Sequence, residues 1–133
     1  MTRAEFADNF LKAFSDHISE KQLKKFRIGT EKKEFLWNLF AAKLVPCYEG
    51  ELARREYDKA DKTLAEEIQY DNCFFDGDKN SHVLSKKHLT ARGIDESGLM
   101  EFYVVGKDFS WCYVITHELD LCGPYFCYKS SLL

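Results

Sequence analysis

Two stretches near the carboxyl end, Glu101-Phe-Tyr-Val-Val105 and Trp111-Cys-Tyr-Val-Ile-Thr-His117, are rich in β-branched and aromatic residues, with Gly106-Lys-Asp-Phe-Ser110 between them. Such residues suit a pleated, half-buried surface, and a short link containing glycine suits a hairpin. The pair therefore predicts two antiparallel strands, and the rest of the chain must cover their apolar side. Gly123-Pro124 breaks the chain again, and Tyr125 to Tyr128 reads as a short last strand at an edge. A further strand is expected over Tyr70, Cys73, Phe74 and Phe75, followed by turn chemistry in Asp76-Gly-Asp-Lys-Asn80.

The covering material precedes the strands. Thr2-Arg-Ala-Glu5 is a capping-box pattern that starts a helix, and Phe6, Phe10, Leu11 and Phe14 follow at helical spacing. Ser19-Glu-Lys-Gln22 repeats the box, with Leu23 and Phe26 as the apolar pair of a short second helix. A third helix is expected from about Glu31 to Val45. Phe35, Leu36, Trp37, Leu39, Phe40, Ala41 and Leu44 make it apolar almost all round, hence central and buried, and Pro46 stops it. A fourth starts near Gly50, with Ala53, Tyr57, Ala60, Leu64 and Ile68 on one face. Glu51 with Arg55, and Asp58 with Lys62, form i,i+4 pairs on the other. Ser85 to Arg92 reads as a short helix ended by Gly93, and Ile94 to Gly98 as loop. Helices first and strands last predict an α+β fold. Its antiparallel sheet has three to five strands, formed mainly by the carboxy-terminal third, and the amino-terminal helices pack on one face. With 133 residues and no linker or repeat, residues 1–133 read as a single domain.

The composition narrows function by exclusion. Hydrophobic residues are 45% and charged residues 31%, as in a soluble globular chain, and the net charge of -3 disfavours nucleic acid or an anionic membrane as partner. Lys21, Lys24 and Lys25 fall opposite Leu23 and Phe26, the solvated side of an amphipathic helix. The run Phe35 to Val45 is interrupted by Asn38 and Lys43 and is too short to span a bilayer, and the charged amino terminus is unlike a secretory signal. A cytoplasmic location without membrane attachment is expected. The five cysteines form no Cys-x-x-Cys pair and read as small apolar residues.

The polar tip of the second strand, Thr116-His117-Glu118, is the candidate functional edge. As a histidine, His117 suits acid, base or ligand work. Strand alternation puts His117 on one face with Trp111, Tyr113 and Ile115, and Glu118 on the other with Cys112, Val114 and Thr116, which keeps the two apart unless a turn intervenes. The structural alternative is that His117 bonds a backbone carbonyl in the turn while Glu118 caps or pairs with an Arg. His117, Cys122 and Cys127, with Cys112, could supply nitrogen and sulfur ligands, but the spacing is unlike that of paired cysteine knuckles. No metal and no cofactor are expected. Nucleophile elbows, phosphate-cradling glycine loops and His-Glu-x-x-His are absent from the sequence.

Two stretches together resemble a family. They are Phe35-Leu-Trp-Asn-Leu-Phe40, with Gly50, Ala53-Arg54 and Tyr57-Asp58 downstream, and Asp108-Phe-x-Trp-x-Tyr-Val-x-Thr-His-Glu118 with Gly123-Pro-Tyr-Phe126. Their order and spacing are similar to those of a family of small bacterial proteins, a domain of unknown function. The resemblance covers about residues 30 to 128. It implies a single-domain, cytosolic bacterial protein in which Trp111, Thr116, His117, Glu118, Pro124 and Tyr125 belong to a shared pattern.

Two functions are expected on these grounds. The first is a small binding protein that neutralises or regulates a partner protein, as immunity proteins do. It would use the edge near Tyr125 to Tyr128 or the acidic helix from Glu51 to Glu67. The alternative is a hydrolase-like or metal-dependent enzyme centred on His117, Glu118 and Asp108. There Tyr125 or Arg54 would orient an anionic substrate, and Trp111 and Thr116 would contribute to binding. The sequence sets no oligomeric state.

Overall fold

The computed structural model describes residues 1–70, 80–118 and 121–130. The strand expected over Cys73 to Phe75 and the turn from Asp76 to Lys79 lie outside the described residues. Helix α1 spans Arg3–Phe14 and opens on the expected box: Glu5 N donates to Thr2 Oγ1 and Thr2 N to Glu5 Oε1, both at 3.1 Å. It buries Phe6, Phe10 and Phe14. Helix α2, Glu20–Lys25, has the second box between Ser19 and Gln22.

The long third helix does not form. Only α3, Asn38–Ala41, is helical. Arg27, Lys33 and Lys43 have φ of 56°, 67° and 59°, and residues in that left-handed region cannot continue a right-handed helix. The apolar density of the segment reported burial rather than periodicity. Leu36, Trp37, Leu39 and Phe40 are all buried.

The fourth helix is shorter than its pattern. Strand β1, Tyr48–Glu49, leads into α4, Glu51–Lys59. Asp58 does not reach Lys62; it accepts from Ala91 N at 2.8 Å, while the Lys62 ammonium donates to the Tyr57 carbonyl. Asp61 then accepts from Thr63 N at 2.8 Å, an Asx turn that ends the helix. Leu64 is exposed, and Ile68 lies in strand β2, Glu66–Gln69. Strand β3 is His82–Val83. A 3₁₀ turn at Lys86–His88 follows, capped by Ser85, and then helix α5, Ala91–Ser97, capped by Thr90. Gly93 therefore lies inside a helix, and Gly98 (φ 65°) ends it.

Strands β4 (Phe102–Val105), β5 (Trp111–Ile115) and β6 (Tyr125–Tyr128) complete an antiparallel sheet of order β1-β6-β5-β4-β2-β3. The expected hairpin is present, with Phe102 opposite Ile115 and Val105 opposite Cys112. Strand β6 is not at an edge, because Tyr48 and Glu49 of β1 pair with Phe126 and Tyr125. The edges described are two-residue strands, which offer little unpaired backbone. The fold is α+β, with six described strands.

Both faces of the sheet are covered. Phe6, Phe10, Phe14, Leu36 and Phe40 pack on one face against Tyr103, Val105, Cys112, Val114 and Tyr125. Phe6, Phe10 and Phe14 come from α1, Phe40 from α3, and Leu36 from the irregular segment before it. On the other face, Ala53 and Tyr57 of α4 and Ala91 and Ile94 of α5 pack against Phe102, Val104, Trp111, Tyr113, Ile115 and Phe126. The hairpin thus ends at two poles. The 106–110 link is at one, and at the other Glu101 enters β4 beside the exit of β5 at Thr116-His117-Glu118. No helix among the described residues is long and apolar enough to cross a membrane.

Candidate functional site

The second pole is organised around a buried carboxylate. The Glu101 side chain is 3% exposed and accepts from three donors. Trp37 Nε1 lies 2.8 Å from Oε2, His117 N lies 3.1 Å from Oε1, and His117 Nδ1 also bonds Oε1. Burial pushes the Glu101 carboxyl above its usual range, and the bonds from His117 and then Trp37 pull the other way. Its backbone has φ 53°, a left-handed conformation that is strained for a residue with a side chain. Tyr70 N holds it there by donating to Glu101 O at 2.7 Å.

Glu101 fixes the imidazole. With the carboxylate accepting at Nδ1, the ring proton belongs on Nδ1 and Nε2 is left as an acceptor. The His117 ring lies against Phe35 and Trp37, which stack on each other, at centroid distances of 5.1 and 5.5 Å, and its side chain is 39% exposed. It does not share a face with Trp111, Tyr113 and Ile115. The strand ends at Ile115, and the chain turns so that the imidazole meets aromatic rings belonging to the opposite core. The same turn brings His117 and Glu118 together. Nε2 is 3.6 Å from Glu118 Oε1, an approach too long for a strong hydrogen bond.

Thr116 builds that turn. Buried, it donates from Oγ1 to Cys122 O at 3.0 Å and accepts from Glu118 N at 3.1 Å. Glu118 O accepts from Cys122 N at 2.7 Å, and the Cys122 thiol lies 3.7 Å from Glu118 Oε2. Burial pushes that thiol up, so it is not poised as a thiolate. Beside the turn lies a cavity of about 660 Å³, walled by His117, Glu118, Asp95, Leu99, Met100 and Ile115 among others.

The remaining candidates lie elsewhere. Asp108 sits in the 106–110 link at the far pole, against a different cavity of about 840 Å³, and cannot join His117. Trp111 is a core residue stacked on Phe126 at 5.5 Å. Tyr125 is buried on the other face against Phe40. Arg54 comes closest, because it pairs at 3.0 Å with Asp95, a cavity wall, and at 3.8 Å with Glu51. It is neutralised there and does not offer a free cation to an anionic substrate. Of the cysteines considered as ligands, Cys127 donates to Pro46 O at 3.4 Å and Cys112 is fully buried within β5. Among the described residues no three His, Cys, Asp or Glu side chains converge to hold a metal ion.

Glu101, Trp37 and Asp95 escaped the sequence reading. Its one usable signal was an acid heading an apolar strand whose partner strand ends in histidine. A second such pair, His88 Nδ1 to Glu67 Oε1 at 2.9 Å, lies on the other side of the sheet, where Glu67 also accepts from Ser85 N at 2.7 Å. It ties the 3₁₀ turn to β2.

The family model described as a domain of unknown function (DUF4275) matches residues 2–126. The chain belongs to that family. The DUF4275 match takes in every residue of the pole, from Trp37 through Glu101 to Glu118 and Cys122. Comparison with curated proteins gives no match, and comparison with solved structures gives none either.

Proposed function

We propose that this DUF4275 protein is a small acid–base enzyme of hydrolase type that works through His117. One observation carries the reading: a half-exposed imidazole has Nδ1 bonded to a buried carboxylate and lines a cavity. That arrangement fixes the tautomer and supplies a counter-charge for the imidazolium that forms when Nε2 takes a proton. Water is the nucleophile in this reading, since the Cys122 thiol is protonated and the Thr116 hydroxyl is committed to the turn. A water proton passes to Nε2 as the water oxygen bonds the substrate carbonyl carbon. The same proton passes to the leaving group as its bond to that carbon breaks. Glu101 is a positioning residue throughout.

The partner-binding reading draws on groups that are already paired. Glu51 pairs with Arg54 and Arg55, Glu56 with Lys59 and the Tyr128 hydroxyl, and β6 is flanked by β1. It gains less from the geometry.

The test is hydrolysis of a panel of p-nitrophenyl esters and nitroanilides by wild type and His117→Ala, with the His117 tautomer read by nitrogen NMR. We expect wild-type turnover that falls by about 10²-fold or more in the variant, and a proton on Nδ1. A silent wild type, equal rates, or a proton on Nε2 would overturn the proposal.

A further inference from the structure

We infer that the His117 cavity selects a small cationic substrate, an amine carrying a short apolar body. The inference rests on the reading above only for the cavity and the His117 tautomer with its proton on Nδ1. Its starting point is that two acceptors face each other. Nε2 of a histidine protonated at Nδ1 has a lone pair, Glu118 Oε1 has others, and they stand 3.6 Å apart. Neither can donate to the other, and with Nε2 kept for water the Glu118 carboxylate beside it is the acceptor open to a donor of positive charge. An ammonium group has three N–H donors and a positive charge to set against Glu118.

The surroundings agree in sign. Among the described residues lining the cavity there is no Lys or Arg, and since Asp95 is paired with Arg54 at 3.0 Å, Glu118 supplies the wall's negative charge. Arg54, the nearest cation with a described contact to that wall, lies on Asp95 and Glu51. Thr116 cannot compete for the donor, because its hydroxyl is bound at both ends within the turn. Leu99, Met100 and Ile115 supply an apolar wall for a few methylenes, which no fully polar solute would need. An anionic substrate would instead face Glu118 with no cation to meet it.

The experiment uses n-butylammonium, n-butanol and n-butyrate as probes of equal length. Each is titrated into wild type and Glu118→Gln while the Met100 methyl and the His117 ring are followed by NMR. Glu118→Gln keeps an oxygen for the Cys122 thiol, and an unchanged melting temperature would verify its fold. We expect saturable shifts with butylammonium, weaker ones with butanol and none with butyrate. Affinity for butylammonium should fall about tenfold in Glu118→Gln, as for loss of one charge-assisted contact. Butyrate binding as well as butylammonium, or butylammonium binding indifferent to Glu118→Gln, would overturn the inference. Its failure is separable from that of the acid–base reading. Cation binding with a silent hydrolysis panel leaves the cation site standing and removes the enzyme, whereas His117-dependent turnover with butyrate preferred does the reverse.

Discussion

At the scale of single residues, Glu101 decides more than any other side chain at the pole. Removing its carboxylate leaves the Trp37 indole N–H and the His117 amide without their acceptor. Glu101→Ala should therefore lose about 3 kcal/mol or more in chemical denaturation, whereas Glu101→Gln, which keeps an acceptor, should lose less. The pH dependence has a definite sign. Burial raises the Glu101 carboxyl in the folded state above its ordinary value of 4.5. The folded state then holds the proton more tightly, and this group's contribution is full below that ordinary value and lost as pH rises through the folded one. The difference in melting temperature between wild type and Glu101→Gln should shrink in that direction; a constant or growing difference would contradict the assignment. Thr116→Val should cost roughly 1–3 kcal/mol by stranding Glu118 N and Cys122 O. Thr116, His117 and Glu118 were legible in the sequence because they interrupt an apolar strand. Glu101 was not, because its role depends on the strand register and on a tryptophan brought in from an irregular segment.

At the scale of elements, helix ends were the weak point of the sequence reading. The first two helices announced themselves through Thr2 with Glu5 and Ser19 with Gln22, whose caps are local chemistry. The third and fourth were over-extended because apolar spacing cannot register a tertiary partner. Asp58 looked like half of an ion pair on the surface of α4 and instead receives Ala91 N at the start of α5. Two glycines separate backbone need from space. Gly98 ends α5 at φ 65° with nothing within 4 Å of where a Cβ would stand, so Gly98→Ala should cost only about 1 kcal/mol. Gly106 has an ordinary φ of -74°, yet a Cβ there would overlap the indole nitrogen of Trp111. Gly106→Ala should be the more destabilising of the two by chemical denaturation, and the reverse order would refute this account.

At the scale of the whole molecule, the α+β class and the hairpin were legible, while the second covering layer was not. The run Trp111-Cys-Tyr-Val-Ile115 is apolar at every position, the mark of a strand buried on both sides. Its aromatic alternation drew attention to one face only. Strands β4 and β5 are buried at every residue and sit between two separate cores. Their amides should be the slowest to exchange with deuterium, opening only in global unfolding, and those of β1 and β3 should be among the fastest. Comparable protection across all strands would speak against two independent layers. The double cover also acts as a reading frame. An inserted or deleted residue within Trp111–Ile115 would send bulky Trp and Tyr rings to the side shaped for Cys112 and Val114, and the small groups to the side shaped for rings. An insertion or deletion should therefore be tolerated only in the connections, and the histidine just past the strand takes its address from that frame.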